Sequence, residues 1–144
     1  MKNTESFIEN RIRWRADQHD IPKRNTYFWE ADRDKPNIEF SKDIGRPILV
    51  SESDAPGCIV LCTRGAVVSY KGSITAFKYS EIDEIHDSTV KPDEKKEDLS
   101  RLIVSLKGGE KVRAPAETGG PAFCVWNILI MLMRMNTSFQ ETVV

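Results

Sequence analysis

The sequence predicts a mainly β fold with a terminal α-helix: an antiparallel β-barrel or sandwich plugged by a C-terminal helix, with an N-terminal helical extension. Three observations carry this reading. Between residues 47 and 116 the chain divides into about six or seven short apolar or alternating runs, separated by turn residues. No helical pattern lies between those runs, which sets aside the βαβ arrangement of a parallel sheet. The most apolar segment, residues 121–135, comes after the last run and is the one plug available for the open end of a curled sheet.

The 144 residues suffice for one domain with a core of its own, without disulfides or metals. They divide into an extension at 1–46, a domain at 47–135 and a tail at 136–144. Twenty-one basic residues stand against twenty-two acidic ones, giving a net charge of -1. Residues 1–46 carry ten Lys and Arg against nine Asp and Glu, so neither part has the basic excess of a nucleic-acid binder. The three cysteines are odd in number and irregular in spacing, which points to a reducing compartment. The N-terminal MKNTESFIEN has no apolar run, so no secretory signal is expected. Residues 121–135, interrupted by Asn127 and Arg134, are too short to span a bilayer. The expected location is the cytoplasm.

Each element follows from local chemistry. Residues 4–16 form a helix, with Thr4 as N-cap and Glu5 in the first turn. At helical spacing Phe7 and Trp14 share one side and Ile8 and Ile12 another. Residues 17–46 are polar and broken by Pro22 and Pro36. Within them TYFW at 26–29 reads as a strand or latch on the domain, and Ile38, Phe40 and Ile44 mark an early strand. PILVS at 47–51 is a strand. CIVLC at 58–62 is a second, so continuously apolar that both its faces must be covered. AVVSY at 66–70 and ITAFKY at 74–79 follow, joined through Gly72, which tolerates positive φ. In the latter, Ile74, Ala76 and Lys78 point one way and Thr75, Phe77 and Tyr79 the other. Ile82 and Ile85 continue an apolar edge. After a charged loop at 87–100 come RLIVSL at 101–106, a KGGE turn and a return strand ending near Pro115. Pro121 then starts the helix.

Val60-Leu61-Cys62-Thr63-Arg64-Gly65-Ala66-Val67-Val68, Phe77-Lys78-Tyr79-Ser80-Glu81-Ile82 and Leu102-Ile103-Val104 with the Lys107-Gly108-Gly109 turn resemble the bacterial pleckstrin-homology-like and GRAM-like domains. The resemblance covers residues 47–135. It implies a binding or scaffolding role with no catalytic residues, no cofactor and no metal, and a protein or peptide as partner. Many eukaryotic members bind phosphoinositides through basic residues in the loop after the first strand. The matching loop here, residues 52–57, carries Glu52 and Asp54 and no basic side chain, so the usual inositol-phosphate site is not expected.

Other candidates are weighed on the residues alone. Arg11, Arg13, Trp14 and Arg15 combine cations with an aromatic, the chemistry of a peripheral lipid-binding or nucleic-acid surface; the plainer reading is a solvated helix whose Trp packs on the domain. Cys58 and Cys62 share a strand face, and with His86 and Cys124 they lack the spacing of a zinc site, which leaves them as small hydrophobes. Glu81, Asp83, Glu84, His86 and Asp87 form the cluster from which a small hydrolase or nuclease would be built, and a solvated strand end is preferred. Asp93 to Lys96 recurs in some nucleases but sits in a Pro-containing loop. In the terminal helix Phe123, Trp126, Ile130 and Met133 form the face expected to plug the barrel. Val125, Ile128, Leu132 and Met135 project from the back, which must be covered by Tyr27, Phe28 and Trp29 or by a second copy of the chain. Partner contacts are therefore expected at Arg11, Arg13, Trp14 and Arg15 and at Val125, Ile128 and Leu132.

Overall fold

The computed structural model describes residues 4–53, 57–87, 101–117 and 119–143. The part of the acidic turn at 54–56 and the loop at 88–100, with its Asp93–Lys96 run, lie outside the described residues. Helix α1 (Glu5–Gln18) begins where the Thr4 hydroxyl accepts the Phe7 N–H at 3.2 Å. Five strands then run in order: β1 (Thr26–Phe28), β2 (Pro47–Ser53), β3 (Gly57–Cys62), β4 (Gly65–Tyr70) and β5 (Ser73–Lys78). They form one antiparallel sheet in sequence order. A 3-10 turn at Tyr79–Glu81 leads to β6 (Ile82–Asp87), β7 (Arg101–Leu106) and β8 (Lys111–Pro115), a second antiparallel sheet. Helix α2 (Gly120–Val143) closes the order and runs well past the end expected at Met135.

Turn chemistry sets the tight connection between β4 and β5. Lys71 and Gly72 have φ of 49° and 82°, and two successive left-handed residues make the turn that matches strand twist. Between β1 and β2, by contrast, residues 38–44 form no strand. Ile44 ends a 3-10 turn at Lys42–Ile44, and Ile38 and Phe40 pack as isolated side chains. Gly45 follows at φ 84°, where a Cβ would lie 2.0 Å from the Thr63 hydroxyl, so only glycine fits.

The continuous apolar character of β3 is explained by two covers. Ile59 and Leu61 face a large core with Leu49, Ala66, Val68 and Phe77. Val60 and Cys62 face a smaller one with Tyr27, Ile44, Val50 and Val67. The second sheet and both helices close the large core; Trp29, Ala31, Ile38 and Phe40 close the small one.

Three expectations are corrected. The sheets do not close into a barrel: β5 ends one sheet and β8 the other, with no pairing between them. The 3-10 turn after Lys78 carries the chain across without a hairpin, and β8 ends at Pro115, which has no N–H to donate. The faces of α2 are reversed. Val125, Ile128, Leu129 and Leu132 are wholly buried, whereas Trp126 and Ile130 are only partly covered. Asn127 and Arg134 set the outward side of this helix, and at about 100° per residue the diametrically opposite positions are Val125 and Leu132. The cover on α2 also differs from the one expected. Ile8, Ile12 and Ala16 of α1 join the same core as α2, while Tyr27 and Trp29 lie on the other face of the five-stranded sheet. The N-terminal segment does cover the helix, through α1; of the aromatic run only Phe28 packs on that core.

Candidate functional site

The parting of the two sheets leaves a groove of about 250 Å³. One wall is Val68 and Tyr70 of β4 with Lys71, Ser73 and Thr75; the other is Glu110, Lys111, Val112 and Arg113. The strand alternation predicted for residues 74–79 decides what this edge presents. Phe77 and Tyr79 are buried, and Ile74, at 56% exposure, faces solvent with Ala76 and Lys78. The unpaired N–H and C=O groups of an exposed edge strand are the usual template for adding another strand. The Tyr70 ring lies between two cations, Lys71 Nζ at 5.3 Å and Arg113 Cζ at 5.7 Å from its centroid. Among the described residues Lys71, Lys111 and Arg113 have no carboxylate within ion-pair distance. The groove thus offers apolar floor from Val68 and Val112, main-chain edges on two sides and an excess of positive charge over the single Glu110.

A second cleft, of about 490 Å³, lies where α1 begins. Thr63, Arg64, Lys78, Tyr79 and Ser80 line it with Thr4, Glu5 and Ile8. Its polar groups are largely spent on one another. Thr63 donates to Glu5 Oε1 at 2.6 Å, and Arg64 Nη2 lies 3.6 Å from Glu5 Oε2. The Thr63 hydrogen bond above all, with Arg64 and Arg46 nearby, holds the Glu5 carboxyl below its ordinary value. The Tyr79 hydroxyl donates to the Cys62 carbonyl at 2.6 Å. This arrangement ties the first turn of α1 to the β3–β4 turn and reads as an anchor.

The residues singled out from sequence are dispersed. Arg13 is held by Glu9 at 2.9 Å and by Glu30 at 2.8 Å, so its charge is internally matched. Trp14 does not pack inward; it is 44% exposed, with Arg11 and Arg15 stacked at 4.5 and 5.2 Å. The inward stripe of α1 is Ile8, Ile12 and Ala16. Val125, Ile128 and Leu132, expected to meet a partner, are core residues and present no surface to one. Glu81, Asp83 and Glu84 are exposed, Ile82 and Ile85 alternate with them into the core, and Glu81 accepts the Lys78 N–H at 2.8 Å. The side chain of His86 is half-buried, with no hydrogen-bond partner at Nδ1 among the described residues. Burial pushes the thiols of Cys58, Cys62 and Cys124 up to about 11, 12 and 12, as expected of apolar side chains that do not ionise at neutral pH.

Sequence reasoning missed the groove residues because they come from separate strands, and Lys71, Lys111 and Arg113 read as turn and edge charges. The available signal was the alternation on β5 that puts Ile74, Ala76 and Lys78 on the exposed side and leaves Ile74 without a cover. No protein-family model, curated protein or solved structure matches the chain.

Proposed function

We propose that this chain is a non-catalytic, pleckstrin-homology-like binding module that takes an extended, acidic segment of another protein along β5, by strand addition. One observation carries the reading: the unpaired edges of β5 and β8 flank a groove with an apolar floor and unmatched cations. Strand addition draws affinity from main-chain hydrogen bonds and specificity from side-chain pockets. Here the free edge of β5 supplies the first; Val68 and Val112 supply apolar contacts in the groove, and Ile74 supplies one on the opposite face of the strand. Lys71, Lys111 and Arg113 favour carboxylates on the incoming strand. The family reading is supported by the order of elements over 47–135, in which two antiparallel meanders precede a helix across the core. Glu52, at the start of the loop where domains of that kind hold inositol phosphates, accepts the Tyr27 hydroxyl at 2.6 Å and lies 3.9 Å from Arg33, so it is committed within the chain.

Selection from a displayed library of random peptides tests the proposal. Recovered sequences should be extended, with alternating β-branched and acidic residues. Reversing Lys111 and Arg113 to Glu should weaken binding by at least roughly tenfold, and high salt should do the same. N-methylation of alternate peptide amides should abolish it, because the added strand loses its donors. Peptides that bind equally well after both changes would overturn the reading.

A further inference from the structure

The outward side of α1 carries a second surface, which shares no residue with the groove. Phe7 and Trp14, 40% and 44% exposed, lie a near-integral number of turns apart and opposite the buried Ile8, Ile12 and Ala16. The Arg11 and Arg15 guanidiniums lie 4.5 and 5.2 Å from the Trp14 ring centroid. Among the described residues neither has a carboxylate partner, whereas Arg13, on the opposite flank, has two. Arg11 also reaches Met131 Sδ of α2 at 3.9 Å, so this surface runs up to the seam between the helices. Across the seam α2 shows the partly covered Ile130 and the exposed Arg134. Residues 120–135 contain no Asp or Glu at all. On helical spacing the exposed Asp17 falls on the side of Trp14 away from α2.

We infer that the outward face of the two helices, formed by Phe7, Arg11, Trp14 and Arg15 with Ile130 and Arg134, docks on an anionic membrane surface. Charge selects this occupant. A second copy would bring Arg11, Arg15 and Arg134 against themselves, since a two-fold interface joins a patch to its own duplicate. An anionic bilayer instead offers phosphates to the guanidiniums and an interfacial layer to an aromatic ring flanked by cations. No helix among the described residues is long and apolar enough to cross a membrane, so the docking is peripheral.

Sedimentation of the full-length chain with vesicles tests this, using phosphatidylcholine alone and with about one-third phosphatidylserine. Binding should require the anionic lipid and fall as salt rises. Replacing Arg11 and Arg15 together with Gln should weaken it by roughly thirtyfold, the effect of two charges near the surface. Trp14→Ser should weaken it too, while Arg13→Gln should leave it unchanged. Arg11→Lys with Arg15→Lys keeps the charge and should retain most binding. The inference is overturned by equal binding to neutral vesicles, by an absence of binding to anionic ones, by an Arg13→Gln effect as large as that of the double variant, or by a dimer in sedimentation velocity that Trp14→Ser disperses.

Discussion

The two faces of the five-stranded sheet solve the same problem by different means. The face carrying Ile59, Leu61, Val68 and Phe77 is closed by regular elements: the second sheet, α2 and the Ile stripe of α1. The face carrying Val50, Val60, Cys62 and Val67 is closed by Tyr27, Ile44 and irregular chain at 29–40. Regular elements bring rows of side chains at fixed spacing, so the first cover interlocks and leaves little room for collapse. The second is a few side chains held by particular aromatic and cation–ring contacts. Trp29 meets Phe40 edge-on at 5.2 Å, and the Tyr27 ring lies under the Arg33 guanidinium at 3.8 Å. The contrast teaches that residues 1–46 serve both faces at once, through α1 on one and through the segment after β1 on the other.

Removing residues 1–46 should break the comparison entirely. It takes away the Ile stripe on α2, strand β1 and the whole cover of the outer face, so the remainder should aggregate or bind a hydrophobic dye. A soluble, monomeric and equally stable fragment would mean that neither cover matters. Smaller changes sharpen the difference. Leu129→Ala, on the interlocked face, should lower unfolding free energy by about 3–5 kcal/mol, and Ile44→Ala, under the irregular cover, by nearer 2 kcal/mol because that cover can settle into the space. Denaturant titration of both variants measures this, and equal losses would show that the two covers are equally rigid.

A third change probes how the covers are joined. Glu117, only 4% exposed, accepts the Thr26 hydroxyl at 2.7 Å and the Asn25 N–H at 3.2 Å, while its own N–H donates to the Ser51 hydroxyl at 2.8 Å. Since the one Thr26 hydroxyl proton goes to Glu117, Ser51 is the donor in the 2.9 Å contact between the two hydroxyls. This network pins β1 to β2 and to the end of β8. Thr26→Val keeps the shape and removes a donor from a buried carboxylate, so it should cost about 1–3 kcal/mol. A loss within error of zero would show that the network contributes no stability.

The smallest effect is expected from pH. His19 sits 5.9 Å from the Phe123 ring at the end of α1, with Arg15, Lys23 and Asp20 near it. Burial first, then Arg15 and Lys23, holds its pKa below the ordinary 6.5. Its contribution is therefore fully present above 6.5 and is lost as pH falls through the lower folded value. The melting temperature should decline across that window, and His19→Gln should flatten the decline. An identical pH profile in the variant would remove His19 from the account.

Much of this architecture was legible in the order of residues. Strand boundaries followed from short apolar runs and from turns such as Lys71-Gly72, because period and backbone freedom are local properties. The start of α1 was legible from Thr4, since a cap needs only the next turn of helix. The full burial of β3 was legible from CIVLC, which leaves no face to water. Tertiary structure overruled the face expected for α2, although the narrow polar edge of Asn127 and Arg134 already stood opposite Val125 and Leu132. It also decided that Tyr27 and Trp29 close the outer face of the sheet, with Phe28 turned to the large core, while α1 covers the helix. The groove was beyond local reading for the same reason: Tyr70 and Lys71 lie about forty residues from Lys111 and Arg113 in the chain, and only the packing of one sheet's edge beside the other's brings them together.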